Sequence, residues 1–135
     1  MKQFCITILF LVLGAALQAQ SISFNAEVDT NAIQIGEQVI LTLRADLDQA
    51  TSYSWPVFPD STEGLEVVNA PAVDTIEKGG RWLLEQKLTI TSFDSGYFAI
   101  PPLTLVVNGQ PANSDAIGIA VRYPDLSQQE GLYDI

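Results

Sequence analysis

Histidine is absent from this sequence, and cysteine occurs once in its 135 residues, as Cys5. Ser-His-Asp triads, Cys-His pairs and ordinary zinc sites therefore cannot be assembled from this chain. Neither of the glycine-rich phosphate-binding patterns, G-x-x-x-x-G-K and G-x-G-x-x-G, occurs in it. These absences exclude the commonest hydrolase, zinc-enzyme and nucleotide-binding sites. We predict that the protein is not an enzyme and has no catalytic, cofactor-binding or metal-binding residue.

Basic residues are also scarce. The chain has 6 Lys and Arg against 16 Asp and Glu, which gives a formal net charge of −10. A nucleic-acid ligand is not expected, because phosphate binding draws on clustered Lys and Arg. The acidic residues are scattered and form no long block, so we interpret them as a solvated acidic surface.

The first 19 residues form a separate segment. Lys2 precedes an apolar run from Phe4 to Leu13, which is followed by small residues up to Ala19. This is the layout of a secretory signal peptide. We predict a signal peptide over residues 1–19 and cleavage between Ala19 and Gln20, although Leu17 is bulkier than the residue usually found two positions before the cut.

Cys5 lies near the start of the apolar run, whereas a lipid-modified cysteine would follow the small residues. We therefore predict no lipid anchor. A retained membrane anchor is the alternative to cleavage, but the run is shorter than the ~20 apolar residues that span a bilayer. Cleavage leaves no cysteine, so the exported domain must be stabilised by an apolar core without disulfides. We expect it to be periplasmic or secreted.

Beyond the signal peptide, apolar and polar residues alternate almost everywhere, which is typical of strands with one buried face. The segments SISFNAEV, QVILTLRA, LEVVN, RWLLEQKLTITS, LTLVV and AIGIAVR show this pattern. Turn signals separate about eight such strands, and we predict an all-β fold: an immunoglobulin-like β-sandwich of about 7–9 antiparallel strands. We assign residues 20–123 to this domain and residues 124–135 to a C-terminal linker or tail.

Several positions interrupt the alternation. The pair Gly79-Gly80 predicts a hairpin turn, and Asn108-Gly109 opens NGQPANSD, which we interpret as a connection between two strands. Gly36 predicts a bulge or a switch between sheets. The stretch 46–52 is predicted to be a loop. Gln86 falls among apolar residues, so we expect it near a sheet edge, with hydrogen-bond partners.

The segment FDSGYFAIPPL, residues 93–103, has features of a corner between two strands. Asp94-Ser95-Gly96 fits a tight turn, since Asp bonds to nearby backbone and Gly tolerates unusual dihedral angles. Phe98 occupies the position where immunoglobulin-like sandwiches often place a corner tyrosine, and Tyr97 is predicted to point the other way. Pro101-Pro102 cannot donate ladder hydrogen bonds, so it should end or redirect the strand at a sheet edge.

Three other functional interpretations of single residues stay open. Asp46 and Asp48 could in principle act as a glycosidase carboxylate pair, although nothing nearby would raise one pKa. Asp46, Asp48 and Asp60 could bind calcium from loops, but no EF-hand-like spacing is present. Trp55 and Trp82 lie on the apolar side of their strands, which favours core packing over a carbohydrate-binding platform.

Three stretches carry a family resemblance. The succession FNAEVDTNAIQIGEQVILTL, WPVFPD and ITSFDSGYFAIPPL resembles the N-terminal region of the BatD family, the aerotolerance or oxygen-tolerance proteins found largely in Bacteroidetes. The resemblance extends from Ser21 to about Tyr123. Its most specific parts are Val28-Asp29, Ile35-Gly36-Glu37 and the stretch from Gly96 to Pro102.

The resemblance implies a periplasmic immunoglobulin-like module and no catalytic residues. Family members are usually longer, with further β domains and a C-terminal transmembrane helix, and are encoded beside von Willebrand A-domain proteins and a MoxR-type ATPase. This sequence stops at Ile135. It is therefore interpreted as a fragment or a truncated member, with membrane association only in a longer form.

Two functions of different classes follow. The first is a non-catalytic interaction module of a cell-envelope complex, whose partners are other envelope proteins, von Willebrand A-domain proteins among them. An uncovered edge strand could serve this role by pairing with a partner strand. The alternative is a secreted carbohydrate- or calcium-dependent adhesion domain. Exposed tryptophans in a concave face would favour the second function, and buried tryptophans the first.

Overall fold

A computed structural model describes residues 22–49, 51–62 and 64–124. The predicted signal peptide, with its cleavage site at Ala19 and Gln20, lies outside these residues, as does the predicted tail of residues 124–135 apart from Pro124. Both stay predictions. The described residues form twelve β-strands and no helix. Among them, therefore, no helix is long and apolar enough to cross a membrane.

The strands are short, apart from two of 11 residues near the centre of the fold. In chain order they are β1 (Ser23–Val28), β2 (Ala32–Gln34), β3 (Gln38–Asp48), β4 (Tyr53–Ser54), β5 (Ser61–Thr62), β6 (Leu65–Asn69), β7 (Asp74–Lys78), β8 (Arg81–Thr91), β9 (Gly96–Ile100), β10 (Thr104–Val107), β11 (Gln110–Asn113) and β12 (Ile117–Arg122).

The strands are arranged in two layers. One layer is a six-stranded sheet in the order β1-β3-β8-β6-β5, with β7 also paired to β8. The other layer consists of two three-stranded sheets, β2-β12-β9 and β11-β10-β4. The two long strands β3 and β8 pair antiparallel over their whole length and form the centre of the large sheet.

Alternation along β3 and β8 places one set of apolar side chains between the layers. Two buried clusters result, one under each small sheet. The first contains Ile33, Val39, Leu41, Leu43, Leu65, Leu88, Ile90, Ile100, Leu103, Ile119 and Val121, and the second contains Ala45, Leu47, Leu84, Leu105 and Val107. Burial of each large aliphatic side chain contributes about 1.5–3 kcal/mol. The predicted all-β, sandwich-like fold is confirmed.

The strand count and pairing differ from the prediction in two respects. The alternating stretch from Ile33 onward, IQIGEQVILTLRA, divides at Gly36, which has φ +85°. Its first half, β2, pairs with β12, while its second half, β3, enters the large sheet. The switch between sheets predicted at Gly36 is thus confirmed. However, β2 and β12 run parallel, so the pairing is not antiparallel throughout. Such divisions raise the number of described strands above the predicted 7–9.

A second difference lies in the stretch NGQPANSD, which is not simply a connection. Asn108-Gly109 forms the predicted turn, with both residues at positive φ. The chain then forms β11, which pairs with β10 and places Pro111 opposite Val106. Proline is tolerated here because β11 is at the edge of its sheet, where one side needs no donor.

The predicted corner at residues 93–103 is present. Phe98 packs against the first core cluster, whereas Tyr97 points outward with 80% of its surface exposed. Strand β9 ends at Ile100, and after Pro101-Pro102 the chain continues as β10 in the other small sheet. The two prolines therefore separate the two sheets of the second layer. β9 is an edge strand, as predicted.

Candidate interaction surface

The outer face of the large sheet is the side directed away from the two small sheets. Registers across β1, β3, β8 and β7 place its residues in rows. One row contains Asn25, Arg44, Glu85 and Asp74, and the next contains Ser23, Asp46, Leu83 and Ile76. A third pairs Asp48, Arg81 and Lys78. This face carries most of the polar side chains that alternate with the core residues.

Arg44 lies at the centre of an ion-pair network on the outer face. Its Nε donates to Glu85 Oε2 at 2.8 Å, and its Nη1 lies 3.4 Å from Glu27 Oε2. The hydrogen bond from Arg44 lowers the pKa of the Glu85 carboxyl below its ordinary value, and the same contact raises the pKa of the Arg44 guanidinium. Lys87 adds a longer contact of 3.8 Å to Glu85.

Arg81 forms the second network, with the two aspartates at the end of β3. Its Nε donates to Asp46 Oδ1 at 2.5 Å and its Nη1 donates to Asp48 Oδ1 at 2.6 Å. The prediction that these aspartates lie in a loop is wrong, because both belong to β3 and pair with β8. Both side chains face the same guanidinium, which offsets their mutual repulsion. The hydrogen bond to Asp46 raises the pKa of Arg81.

Asp46 and Asp48 do not form the calcium site or the glycosidase carboxylate pair considered above. Asp46 and Asp48 direct their carboxylates to Arg81 and not to an open loop. Over residues 22–49, 51–62 and 64–124, no group of three or more His, Cys, Asp and Glu side chains could hold a metal ion. Asp60 is exposed in the connection before β5 and is not part of such a group.

An apolar pair lies between the two networks. Ile76 on β7 is directly opposite Leu83 on β8, and their side chains are 60% and 36% exposed. They line a shallow cavity of about 430 Å³ on the outer face. Its other lining residues are Ser23, Asn25, Arg44, Ala45, Asp46, Asp74, Leu84 and Glu85. The cavity is therefore lined by both apolar and charged side chains.

The basic residues of the chain are concentrated on this face. Of the 6 Lys and Arg in the sequence, Arg44, Lys78 and Arg81 belong to the three rows, and Lys87 lies on the same face of β8. The charges here are mixed, in contrast to the strongly acidic composition of the chain. Mixed charge around an exposed apolar pair is what a protein-binding surface needs, because the charges set orientation while the apolar residues are desolvated.

The two tryptophans lie away from the outer face, and both are partly buried. Trp55 packs against both core clusters and donates its indole N–H to Gln86. Trp82 packs against the second cluster and donates to Glu77 Oε1 at 3.2 Å, with the Tyr53 ring 6.2 Å away. Neither ring lines the outer-face cavity. The predicted core packing of both tryptophans is confirmed.

Sequence reasoning did not find the outer-face rows or the role of Arg44 and Arg81. The signal was present as the polar half of each alternating segment. However, the opposing charges meet only once the register of β1, β3 and β8 is fixed, and Arg81 is 33 residues from Asp48 in the chain. An uncovered edge strand is predicted from the sequence, but its position is not. Among the described residues, β7 is such a strand.

Comparison with known proteins agrees with the resemblance in the sequence. No curated protein matches the chain. The sequence model described as "BatD DUF11 like domain" matches residues 26–121, which include all of β2 to β11, half of β1 and most of β12. Since this match spans well over half of the chain, the protein belongs to the BatD family.

Proposed function

We propose that this domain is a non-catalytic protein-interaction module of a periplasmic cell-envelope complex. The observation that carries the proposal is the exposed Ile76–Leu83 pair on the outer face, set between the Arg44 and Arg81 networks. Arg44 and Arg81 are held in ion pairs with carboxylates of the same face, so the surface offers an ordered pattern of charge to a partner. That is a property of recognition surfaces.

The family membership supports this function in a coarser way. The BatD resemblance implies an envelope module that is encoded beside von Willebrand A-domain proteins. Those proteins are therefore the partner class that we propose first. A location in the periplasm follows from the predicted signal peptide and cleavage at Ala19. Association with the membrane would need a segment other than the described domain.

A capture experiment tests the proposal. The protein is immobilised and exposed to an envelope extract of its own organism, and the retained proteins are identified by mass spectrometry. We expect the wild type to retain von Willebrand A-domain proteins and the Leu83→Asp variant to lose them. This change places a charge in the apolar Ile76–Leu83 pair that lines the cavity. Tyr97→Asp is the matched control, because it adds the same charge at an exposed aromatic of the other layer.

The control makes the result specific to the outer face. Retention by the wild type and by Tyr97→Asp, but not by Leu83→Asp, would support the proposal. Equal retention by all three proteins would place the binding surface elsewhere. Recovery of glycans alone, or of no protein, would contradict the proposed function.

A further inference from the structure

We propose that two copies of this chain associate through their β7 strands, forming one continuous sheet across the two molecules. The proposal concerns one free edge of the large sheet, the β7 edge, and so goes beyond the binding of another envelope protein. It rests on three properties of β7: its open edge, the direction of its backbone groups and the order of its side chains.

The first property is exposure. All five residues of β7 are exposed, and among the described strands β7 pairs only with β8. An edge strand of this kind presents unpaired backbone groups that can bond to a further strand. The Ile76 side chain, 60% exposed, is large and apolar, so association would remove it from water.

The second property is the direction of the backbone. The Gln49 N–H bonds to the Gly80 carbonyl, which continues the β3–β8 ladder. Because successive residues of a strand bond to opposite sides, Leu83 and its neighbours at odd positions of β8 direct their N–H and C=O groups to β7. The partner of Leu83 is Ile76. Ile76 therefore bonds inward, and the backbone groups of Thr75 and Glu77 point to the open edge.

The third property is the side-chain order Asp-Thr-Ile-Glu-Lys over residues 74–78. In an antiparallel pair centred on Ile76, this order is self-complementary. Asp74 of one copy then lies opposite Lys78 of the other, and the same contact recurs at the other end. Ile76 faces its own counterpart. Opposite charges and paired apolar residues at such positions each stabilise a sheet.

The backbone and side-chain arguments select the same register. With Ile76 opposite Ile76, the outward-directed Thr75 of one copy faces the outward-directed Glu77 of the other, so the two residues can exchange both backbone hydrogen bonds. Moving the register by two residues either way places Glu77 opposite Glu77 or Thr75 opposite Thr75, and separates Asp74 from Lys78. Only the centred register satisfies the hydrogen bonds and both charge pairs.

The pairing would also double the candidate interaction surface. Leu83 and Ile76 of one copy would continue into Ile76 and Leu83 of the second, which gives a four-residue apolar row on a joined outer face. Two identical binding faces on one rigid sheet favour a partner that is itself repeated or two-fold symmetric. The occupant of the β7 edge is thus a second copy of this chain.

Charge exchange gives the sharpest test. Sedimentation velocity is run on the purified protein at concentrations from about 10 μM to about 1 mM, a range that suits a weak contact. We expect a monomer–dimer equilibrium for the wild type. Lys78→Asp sets Asp opposite Asp at both ends, and Asp74→Lys sets Lys opposite Lys. Each should weaken self-association about tenfold or more.

Recombination of the two variants separates a lost contact from a damaged fold. An equal mixture of Lys78→Asp and Asp74→Lys restores both charge pairs between unlike copies, so we expect a heterodimer of near wild-type affinity. The double variant Asp74→Lys with Lys78→Asp should recover the homodimer. Lys87→Asp makes the same charge change on β8, away from the edge, and should leave the dimer intact.

A backbone change tests the same contact independently of charge. Thr75→Pro removes an N–H that points to the open edge and leaves the bonds to β8 in place, a position where proline is tolerated. We expect a monomer with an unchanged unfolding midpoint. In a Cys5→Ser background, Ile76→Cys should form a disulfide-linked dimer under oxidation, whereas Asp74→Cys should not, because it faces Lys78 of the other copy.

Three results would overturn the proposal. One is a wild type that stays monomeric up to about 1 mM. The charged residues of β7 would then serve to prevent pairing of this edge strand with other chains. Another is a dimer that Thr75→Pro and Lys78→Asp leave unchanged. The third is a mixture of the two charge variants that stays monomeric. Each outcome is independent of whether Leu83→Asp abolishes partner capture, so failure of this proposal is distinguishable from failure of the proposed function.

Discussion

The indole N–H of Trp55 donates a hydrogen bond to Gln86 Oε1 across 2.8 Å, and Gln86 Nε2 in turn donates to the Pro71 carbonyl at 2.8 Å. Gln86 thus connects three separate parts of the chain. It lies on β8 opposite Leu43, at the point where the partner strand changes from β6 to β7. The expectation of hydrogen-bond partners for Gln86 is confirmed. β8 is a central strand, but at Gln86 it pairs only with β3, because this residue lies in the gap between β6 and β7.

Replacement of Gln86 by Leu should destabilise the fold by about 1–3 kcal/mol. The change leaves the half-buried Trp55 N–H and the Pro71 carbonyl without their partner. A polar group that loses its hydrogen-bond partner inside the protein costs more free energy than a typical hydrogen bond contributes. Urea unfolding followed by tryptophan fluorescence measures the effect. Gln110→Leu, at an exposed position, is the control and should stay within about 0.5 kcal/mol of the wild type. Equal midpoints for both variants would contradict the structural role of Gln86.

Much of the fold is predictable because the alternation and the turn residues act locally. The hairpin at Gly79-Gly80 and the strand LEVVN were both recognisable from a few neighbouring residues, and the structure places them as predicted. The end of β3 was not. Aspartate is unfavourable in strands, so Asp46 and Asp48 indicated a loop. In the strand, both carboxylates pair with Arg81 across the sheet, a contact that no local pattern encodes.

The candidate surface was harder to predict for the same reason. An alternating strand shows which residues share a face, but not which residues of a neighbouring strand lie beside them. Asp74 and Glu85 are cross-strand partners only because the two-residue turn sets the β7–β8 register. Pairing of Arg44 with both Glu27 and Glu85 requires β1 and β8 on opposite sides of β3. Such relationships follow from topology, which the sequence alone left open.

Gly64 should tolerate substitution much less well than Gly36. Both have positive φ, +88° and +85°, where any other L-residue is strained. A Cβ on Gly64 would also overlap the Phe98 ring, whereas nothing lies within 4 Å of that position at Gly36. We expect Gly64→Ala to cost about 2–5 kcal/mol and Gly36→Ala about 1–2 kcal/mol in thermal or urea unfolding. A Gly36→Ala effect as large as that of Gly64→Ala would show that the ring contact is unimportant.

Leu83 and Leu84 are adjacent in the sequence but point to opposite sides of β8. Leu84 is 1% exposed in the second core cluster, while Leu83 lies on the outer face. Leu84→Ala should therefore cost about 2–5 kcal/mol because it creates a cavity, and Leu83→Ala less than about 1 kcal/mol. Denaturant midpoints compare the two variants directly. A reversed order would mean that the strand is shifted by one residue, which would move every side chain to the other face.

The Arg44–Glu85 contact makes stability depend on pH in a defined direction. The hydrogen bond from Arg44 holds the pKa of Glu85 below its ordinary value of 4.5 in the folded protein, while the unfolded chain keeps the ordinary value. The contact therefore stabilises the fold fully above about pH 4.5. This contribution is lost as the pH falls through the lower pKa of the folded state, where the carboxylate becomes protonated and can no longer accept the bond in its charged form.

Comparison of the wild type with Arg44→Met isolates this contribution from the general effect of neutralising an acidic protein. The variant keeps an unbranched side chain on β3 but removes the donor, so the pKa of Glu85 should move back toward its ordinary value. We expect the two proteins to differ most in stability at pH 7 and to converge as the pH falls through the lowered pKa of Glu85, measured by urea unfolding across the range. Carbon-detected NMR titration of the Glu85 carboxyl provides the direct reading. If both proteins lose stability in parallel from pH 7 to pH 3, then Arg44 does not set the protonation of Glu85, and the ion-pair network on the outer face is too mobile to present a fixed pattern of charge.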